Sequence, residues 1–411
     1  MKRLLVFPFL ILTFNLLAQF NTITTSFPSL AINADAHLNG TAGIGSVSDE
    51  HSIQGAFNGN PAILANGSKY VSANLNHAPW LRRLVPGVSN NSAQFALGIS
   101  KRYALGFQFK YFTLGNIQFT DQFGNVTTQY APTETSLQMN QAFRISGNWS
   151  IGAAFKLASA KYLSNSNAIV FAVDLGTQYQ KKFVERENLK TFFRWGAGIT
   201  NLGNKAFFEN SSLSNYIPTT LQTGSMFSVH SKAGNGWLVN NVSYQVSKLL
   251  VPSPPRYKID PATMDVIQDG NGELIVSSGR DPNVPVMQGV VQSFYDAPGM
   301  AGGYNENGEW EATTGQKISE EWSEIIHHVA HEVRYEVSDN LILKMREGLF
   351  LEASAKGGRK YFSFAPGIEL YGFRLGYSRW LAFGQNTNLS GTHSFSIGFH
   401  RKFGYKWRSL N

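Results

Sequence analysis

Apolar and polar residues change places at successive positions over stretches of about ten residues, repeatedly along the chain. A period of two marks an extended strand with two unlike faces. Leu105, Phe107, Phe109 and Tyr111 alternate with Gly106, Gln108 and Lys110, and Ile151, Ala153, Phe155 and Leu157 with Gly152, Ala154 and Lys156. Phe171, Val173 and Leu175 alternate with Ala172, Asp174 and Gly176, and Phe373, Leu375 and Tyr377 with Arg374, Gly376 and Ser378. Charged side chains stand on the face that a soluble sandwich would need for its core. The apolar face is therefore expected to meet lipid, and the polar face a wet lumen.

The runs predict fourteen strands, near residues 68–78, 91–100, 104–114, 133–145, 148–161, 168–181, 190–200, 217–230, 237–247, 328–337, 340–352, 359–369, 372–381 and 392–403. The connections support that reading, because membrane barrels join strands by tight turns on the periplasmic side and longer loops outside. Links after odd strands are mostly long, the longest running from Leu249 to about His327. Links after even strands are mostly short and rich in turn residues, such as Ser146-Gly147 and Ser338-Asp339. Leu163–Asn167 and Ala353–Gly358 are short odd links, and Lys182–Leu189 is a longish even one. Both termini are expected in the periplasm. Trp149, Trp195, Trp237 and Trp380 fall near predicted strand ends, where an aromatic girdle would sit. Pro366-Gly367 lies inside the twelfth strand, where proline offers no ladder N–H and predicts a bulge or kink.

Composition agrees with a membrane wall: 15% of residues are charged, against about a quarter in soluble domains, while 13% are aromatic. Zero cysteines exclude disulfides, thiolate metal sites, cysteine nucleophiles and lipidation at an N-terminal cysteine. The net charge of +8 is scattered without a basic stripe or helix, which argues against nucleic acid and suits anionic lipopolysaccharide or acidic cargo. Lys2-Arg3, the apolar run Leu4 to Leu17 and the small Ala18 read in order as a signal peptide over residues 1–18. No later stretch reaches the roughly 18 apolar residues of a membrane helix, so a chain that spans must close into a barrel.

Between the signal peptide and the first strand, residues 19–67 show no alternation and are rich in Gly, Asn and Ala. Asn60-Pro61-Ala62 in this position resembles the N-terminal hatch of FadL-like barrels, whose leading segment folds into a fourteen-stranded lumen. Further segments resemble the PorV family of the type IX secretion system: His77-Ala78-Pro79-Trp80-Leu81, Leu114 to Asp121, Phe294-Tyr295-Asp296-Ala297-Pro298-Gly299 and Arg359 to Gly367. The resemblance spans roughly Asn60 to Phe403; Met300, the stretch from Pro252 to Gln288 and the tail 404–411 depart from it. It implies an all-β, fourteen-stranded antiparallel barrel with a hatch, Asn60, Pro61 and Ala62 among its residues. It also implies partners: a SprA-like translocon, a PorU-like sortase complex and the C-terminal domains of secreted cargo. A FadL-like conduit for hydrophobic small molecules is the alternative. The long loop carries Met287, Val290, Val291, Phe294 and Tyr295, an apolar set that forms a docking surface or a core folded over the barrel mouth. With Asp296, Ala297, Pro298, Gly299 and Trp80, these positions from Val290 onward are the candidate partner-binding residues.

No catalytic set is legible, since no serine, histidine and carboxylate converge on one strand end. Asp174, Glu332, Arg334, Glu336 and Lys344 read as a polar network inside the lumen. Ser319, followed by early acids, predicts the start of a short helix. His328 and His331, three apart on a strand, point to opposite faces and cannot easily share a metal. Asp269-Gly270-Asn271-Gly272-Glu273 reads as a turn. No cofactor motif is present.

Overall fold

The computed structural model describes residues 22–403 apart from 50–51, 66, 82–84, 164–165, 210–213 and 385–388. The expected signal peptide and the tail 404–411 lie outside the described residues. Fourteen antiparallel strands close on themselves: β1 (Lys69–Pro79), β2 (Val88–Gly98), β3 (Tyr103–Leu114), β4 (Thr133–Arg144), β5 (Trp149–Leu163), β6 (Ser166–Arg186), β7 (Leu189–Gly203), β8 (Thr220–Ala233), β9 (Gly236–Leu249), β10 (Ile326–Ser338), β11 (Leu341–Leu351), β12 (Lys360–Leu370), β13 (Phe373–Ala382) and β14 (His393–Phe403). The seam pairs Lys69 with Phe403 through His77 with Phe395. Closure leaves no sheet edge, which is what lipid demands of a backbone that cannot bond to water.

Side chains follow the alternation. On β3, Phe107, Phe109 and Tyr111 are exposed outward while Gln108 and Lys110 are buried inward. One expected boundary was wrong. β6 runs to Arg186, and its link to β7 is only Glu187-Asn188. A register shift between Lys182 and Val184 breaks the period there and hides the end of the strand. With that link shortened, every even connection is tight.

Two further expectations are corrected by side-chain parity. Trp149 packs outward with Tyr179 (4.9 Å) and Trp195 (6.2 Å), as a girdle would. Trp380 instead points inward, stacks on Tyr361 at 4.1 Å and donates its indole N–H to the Asn39 carbonyl; Trp237 also lies on the inward register, beneath the Lys190 ammonium. At Pro366 the pairing of β12 with β13 lapses opposite Tyr377 and Ser378, then resumes in the same register, so the wall loses rungs without a bulge.

The lumen is filled by the residues that precede β1. Helices α1 (Ala36–Gly40) and α2 (Gly55–Asn58) and a 3-10 turn over Pro61–Leu64 pack against the inner wall. Phe57, Ile53, Ile63 and Leu64 are buried against Tyr70, Ala96, Ala104 and Ala142, and Phe27 and Leu30 against Ala158, Ala160, Ala168 and Val170. Small inward residues leave the room these large ones occupy. Each such aromatic or aliphatic side chain contributes about 1.5–3 kcal/mol. Asn60 caps its own turn, its Oδ1 accepting from the Ala62 N–H at 3.0 Å, while its amide N–H groups donate to the carbonyls of Ser46 (2.7 Å) and Thr177 (2.8 Å).

No Cβ fits at Gly176, where it would lie 2.1 Å from Asn60 Oδ1, at Gly196, where it would lie 2.1 Å from the Ser46 carbonyl oxygen, or at Gly152, where it would lie 2.5 Å from the Ala62 nitrogen. Gly176→Val is expected to displace the hatch and lower stability by about 1–3 kcal/mol. A thermal melt in detergent, followed by ion conductance in planar bilayers, checks this: an unchanged melting temperature and conductance would show that the fit does not hold the hatch.

Candidate functional site

Charges inside the lumen tie hatch to wall. Arg334, 1% exposed, pairs with Asp49 of the hatch at 2.6 Å, Glu332 at 3.2 Å and Glu336 at 2.9 Å. Glu332 also accepts from Arg346 (2.6 Å), Lys156 pairs with Asp174 (2.7 Å), and Lys344 and Arg374 share Glu369 (both 2.9 Å). Buried ions persist in pairs because an unpaired one is so costly. The five lumen residues expected from sequence are all ion-paired there, in three clusters completed by Asp49, Lys156, Arg346, Glu369 and Arg374. His328 turns inward, its Nδ1 2.7 Å from the Ala42 carbonyl and its Nε2 2.8 Å from the Ser247 hydroxyl, while His331 faces outward. Among the described residues no group of three or more His, Cys, Asp or Glu side chains is arranged to hold a metal.

At the long-loop end, the segment between β9 and β10 folds into a cap carrying α3 (Val286–Gln292) and α4 (Thr314–Ser323). α4 starts before the expected Ser319, because Thr313 and Gln316 form a capping box that satisfies the first N–H groups. Its acids consequently fall at the helix end and act as hooks. Glu320 accepts from the Gly299 (2.8 Å) and Met300 (2.9 Å) N–H groups, and Glu321 from the Ala297 N–H (2.9 Å). Lys356, from the loop after β11, bonds to Glu320 and Glu324 (both 2.8 Å), and Lys248 of β9 bonds to Glu321 (3.3 Å) and Glu324. The cap is thus riveted to two separate parts of the wall. Asp269 Oδ1 accepts from the N–H groups of Asn271 (2.8 Å) and Glu273 (2.9 Å), the turn read from sequence.

The candidate binding residues divide. Asp296, Ala297, Pro298 and Gly299 are buried, the internal anchor of the cap. Val291, Phe294 and Tyr295 are at least half exposed, at 57%, 50% and 53%, joined by Met287 at 61%; Val290 is half-buried. Trp80 belongs elsewhere, edge-on to Trp380 at 5.3 Å in the aromatic cluster above the hatch. α4 adds Ile318 and Trp322, 53% and 69% exposed, at i and i+4 on one helix face. Between these and the outer face of β8 and β9 lies a groove of about 520 Å³, floored by Leu221, Thr223 and Val246. Sequence reading named the α3 half of this surface and missed Trp322, whose i, i+4 partner Ile318 was the available signal.

Burial pushes the Asp296 carboxyl up to about 7; the Ser253 N–H opposes this, the Glu324 and Glu321 carboxylates add to it, and Lys248 opposes it. For Lys356, burial opposes the charge, yet Glu324 and Glu320 outweigh burial and raise the ammonium above its ordinary range. Below about pH 3.8 Asp296 is protonated whether the cap is closed or open; from there to about 7 the closed cap holds a proton that the open chain releases. Cap stability therefore falls as pH rises through that window. Asp296→Asn is expected to bring the ratio of protease cleavage rates of the 252–325 segment at pH 8 and pH 5 close to one, whereas the wild type is cut faster at pH 8. Equal ratios in the two proteins, normalised to an unfolded substrate, would count against this role.

A closed cylinder with an apolar outer belt and a filled lumen defines a membrane-spanning β-barrel. The family model of the type IX secretion system protein PorV matches residues 16–256, more than half of the chain, and the chain belongs to that family of outer-membrane barrels. No curated protein matches it. Solved structures that it resembles include a Pseudomonas aeruginosa FadL homologue (11% identity, TM-score 0.41, covering 90% of this chain and 98% of that one). Another is the Ralstonia pickettii toluene transporter TbuX (10% identity, TM-score 0.42, covering 91% and 99%). At such scores these likenesses carry nothing about ligands to this chain.

Proposed function

We propose that this barrel binds the C-terminal domains of secreted cargo on its cap, docks on the translocon of the type IX system and delivers cargo to the sortase complex at the cell surface. Family membership supports a role in type IX secretion in general. The observation that carries the finer reading is the exposed ridge of Met287, Val291, Phe294, Tyr295, Ile318 and Trp322 on a cap held rigid by buried carboxylate–lysine pairs. An apolar surface held out into water on a fixed frame is what a partner-binding site looks like, with aromatic anchors and little ordering entropy left to lose. In this reading the cap and long loops face outside the cell, and both termini face the periplasm. A β-rich cargo domain would lay a strand or a side chain into the groove beside Trp322.

The alternative, a conduit for hydrophobic small molecules, needs a hatch that gives way. Here the hatch is bonded to opposite sides of the wall through Asp49, Asn60 and Lys110, whose ammonium donates to the carbonyls of Ser29 (3.0 Å) and Ile32 (3.2 Å). That favours docking over transport.

Detergent-solubilised barrel, immobilised and offered purified cargo C-terminal domains, is expected to retain them. The double variant Phe294→Ser, Trp322→Ser should weaken retention about tenfold or more, since truncating an anchor costs upward of about 2 kcal/mol. Wild-type binding to none of the cargo domains, the translocon or the sortase would return the case to lipid transport.

A further inference from the structure

The charge that is scattered along the sequence is sorted by the fold. Lys69 at the foot of β1, Arg401 near the end of β14, and Lys101 and Arg102 in the turn joining β2 to β3 are all exposed. Lys69 and Arg401 share the outward face of the seam, where Val71 pairs with Arg401 and Lys69 with Phe403. At that diagonal spacing two long side chains reach one anion. On the other side Tyr70 pairs with Gly98, which sets Lys69 beside the Lys101-Arg102 turn. None of the four makes an ion pair among the described residues, and β13, β14, β1, β2 and β3 contain no Asp or Glu. Exposed acids gather at the opposite end of the molecule, on the cap, at Asp265, Asp269, Glu273, Asp281 and Glu306. Four uncompensated cations at one corner of the wall are a site for an anion.

Their position against the apolar belt says which anion. The outward aromatic pairs Tyr103–Phe143 (4.6 Å) and Phe373–Phe399 (5.2 Å) border the belt at this end, and Arg102 and Arg401 follow one residue beyond Tyr103 and two beyond Phe399. Rings followed by cations is the order of a membrane interface, with the rings at the level of the headgroup bases and the cations at the phosphates. Above the cations a groove of about 840 Å³ opens on the outer face, between Phe399, Ala73 and Phe95 on one rung and Ile397, Leu75 and Ala93 on the next. The two alanines leave room between the larger side chains. An acyl chain fits such a groove, but every lipid has one; the cations decide which lipid stays.

We infer that the foot of the β1–β14 seam binds an anionic phospholipid of the periplasmic leaflet, its phosphate between Lys69 and Arg401, Lys101 and Arg102 adding charge, and one acyl chain in the groove. The leaflet rests on the orientation given with the proposed function. A lipid seated across β1 and β14 bridges the two strands whose pairing closes the cylinder, so its binding stabilises the closed barrel.

The test is native mass spectrometry and thermal melting of the detergent-purified barrel with phosphatidylglycerol, phosphatidylethanolamine, lipid A or glycerol phosphate added. Phosphatidylglycerol is expected to be held about tenfold more tightly than phosphatidylethanolamine and to raise the melting temperature, both effects fading as salt rises. Lys69→Gln combined with Arg401→Gln should abolish the preference, and Ala73→Trp should weaken retention with all four cations in place. Lys182→Gln, at an ammonium that already pairs with Glu185 at 2.6 Å, should change neither. Equal retention of the two phospholipids, a preference that is indifferent to salt or survives the double change, or displacement by glycerol phosphate as readily as by phosphatidylglycerol would each overturn the inference. So would a preference for lipid A over phosphatidylglycerol, which would put the foot of the seam in the other leaflet. The Phe294→Ser, Trp322→Ser variant should hold phosphatidylglycerol as the wild type does, so failure of cargo binding and failure of lipid binding are read separately.

Discussion

The structure depends on one requirement: a backbone in hydrocarbon must satisfy its own hydrogen bonds, so the sheet has to close. Closure with fourteen strands encloses more space than inward side chains can fill. The chain meets this with its own N-terminal segment and with a wall thinned to receive it. The wall offers glycine and alanine to the hatch at Gly152, Gly176, Gly196, Ala142 and Ala158, and the large residues Phe27, Phe57 and Leu64 come from the hatch side. The ion pairs then have an interior dry enough to need partners. Asp49 and Arg334 belong to different parts of the fold yet share one bond.

The same economy governs the cap. Four carboxylates, Asp296, Glu320, Glu321 and Glu324, are drawn into a small volume with Lys248 and Lys356. Glu320 and Glu321 bind backbone N–H groups of the Ala297 to Met300 segment as well as ammonium groups, and Asp296 accepts from the Ser253 N–H, so the apolar residues on either side of that segment are presented outward rather than collapsed. Buried polarity on the inner side of the cap is what permits exposed apolarity on its outer side.

The fourteen strands were legible because period-two alternation recurs and each error moves only a boundary. Where it failed, a specific residue intervened: the irregular register near Phe183 ended the pattern on β6 before the strand ended. Trp380 shows the limit of reading by position, since nearness to a strand end says nothing of face, and one residue of parity turned a supposed girdle residue into a neighbour of the hatch. In the cap, Val291, Phe294 and Tyr295 were visible as apolar residues in a loop, but the groove was not, because Leu221, Val246 and Trp322 come from three distant segments. Asp296 to Gly299, read from sequence with the candidate surface, are buried beneath it.

The intimacy of hatch and wall has a consequence for how the molecule is made. The hatch is translated first and β14 last, yet β1 pairs directly with β14, and Asn60, Pro61 and Ala62 sit against Gly152 and Gly176 with no room for a methyl group. So close a seating is reached without a steric barrier while the sheet is still an open, curling ribbon, with the leading segment as the mandrel on which the wall is wound and the β1–β14 seam closing over it.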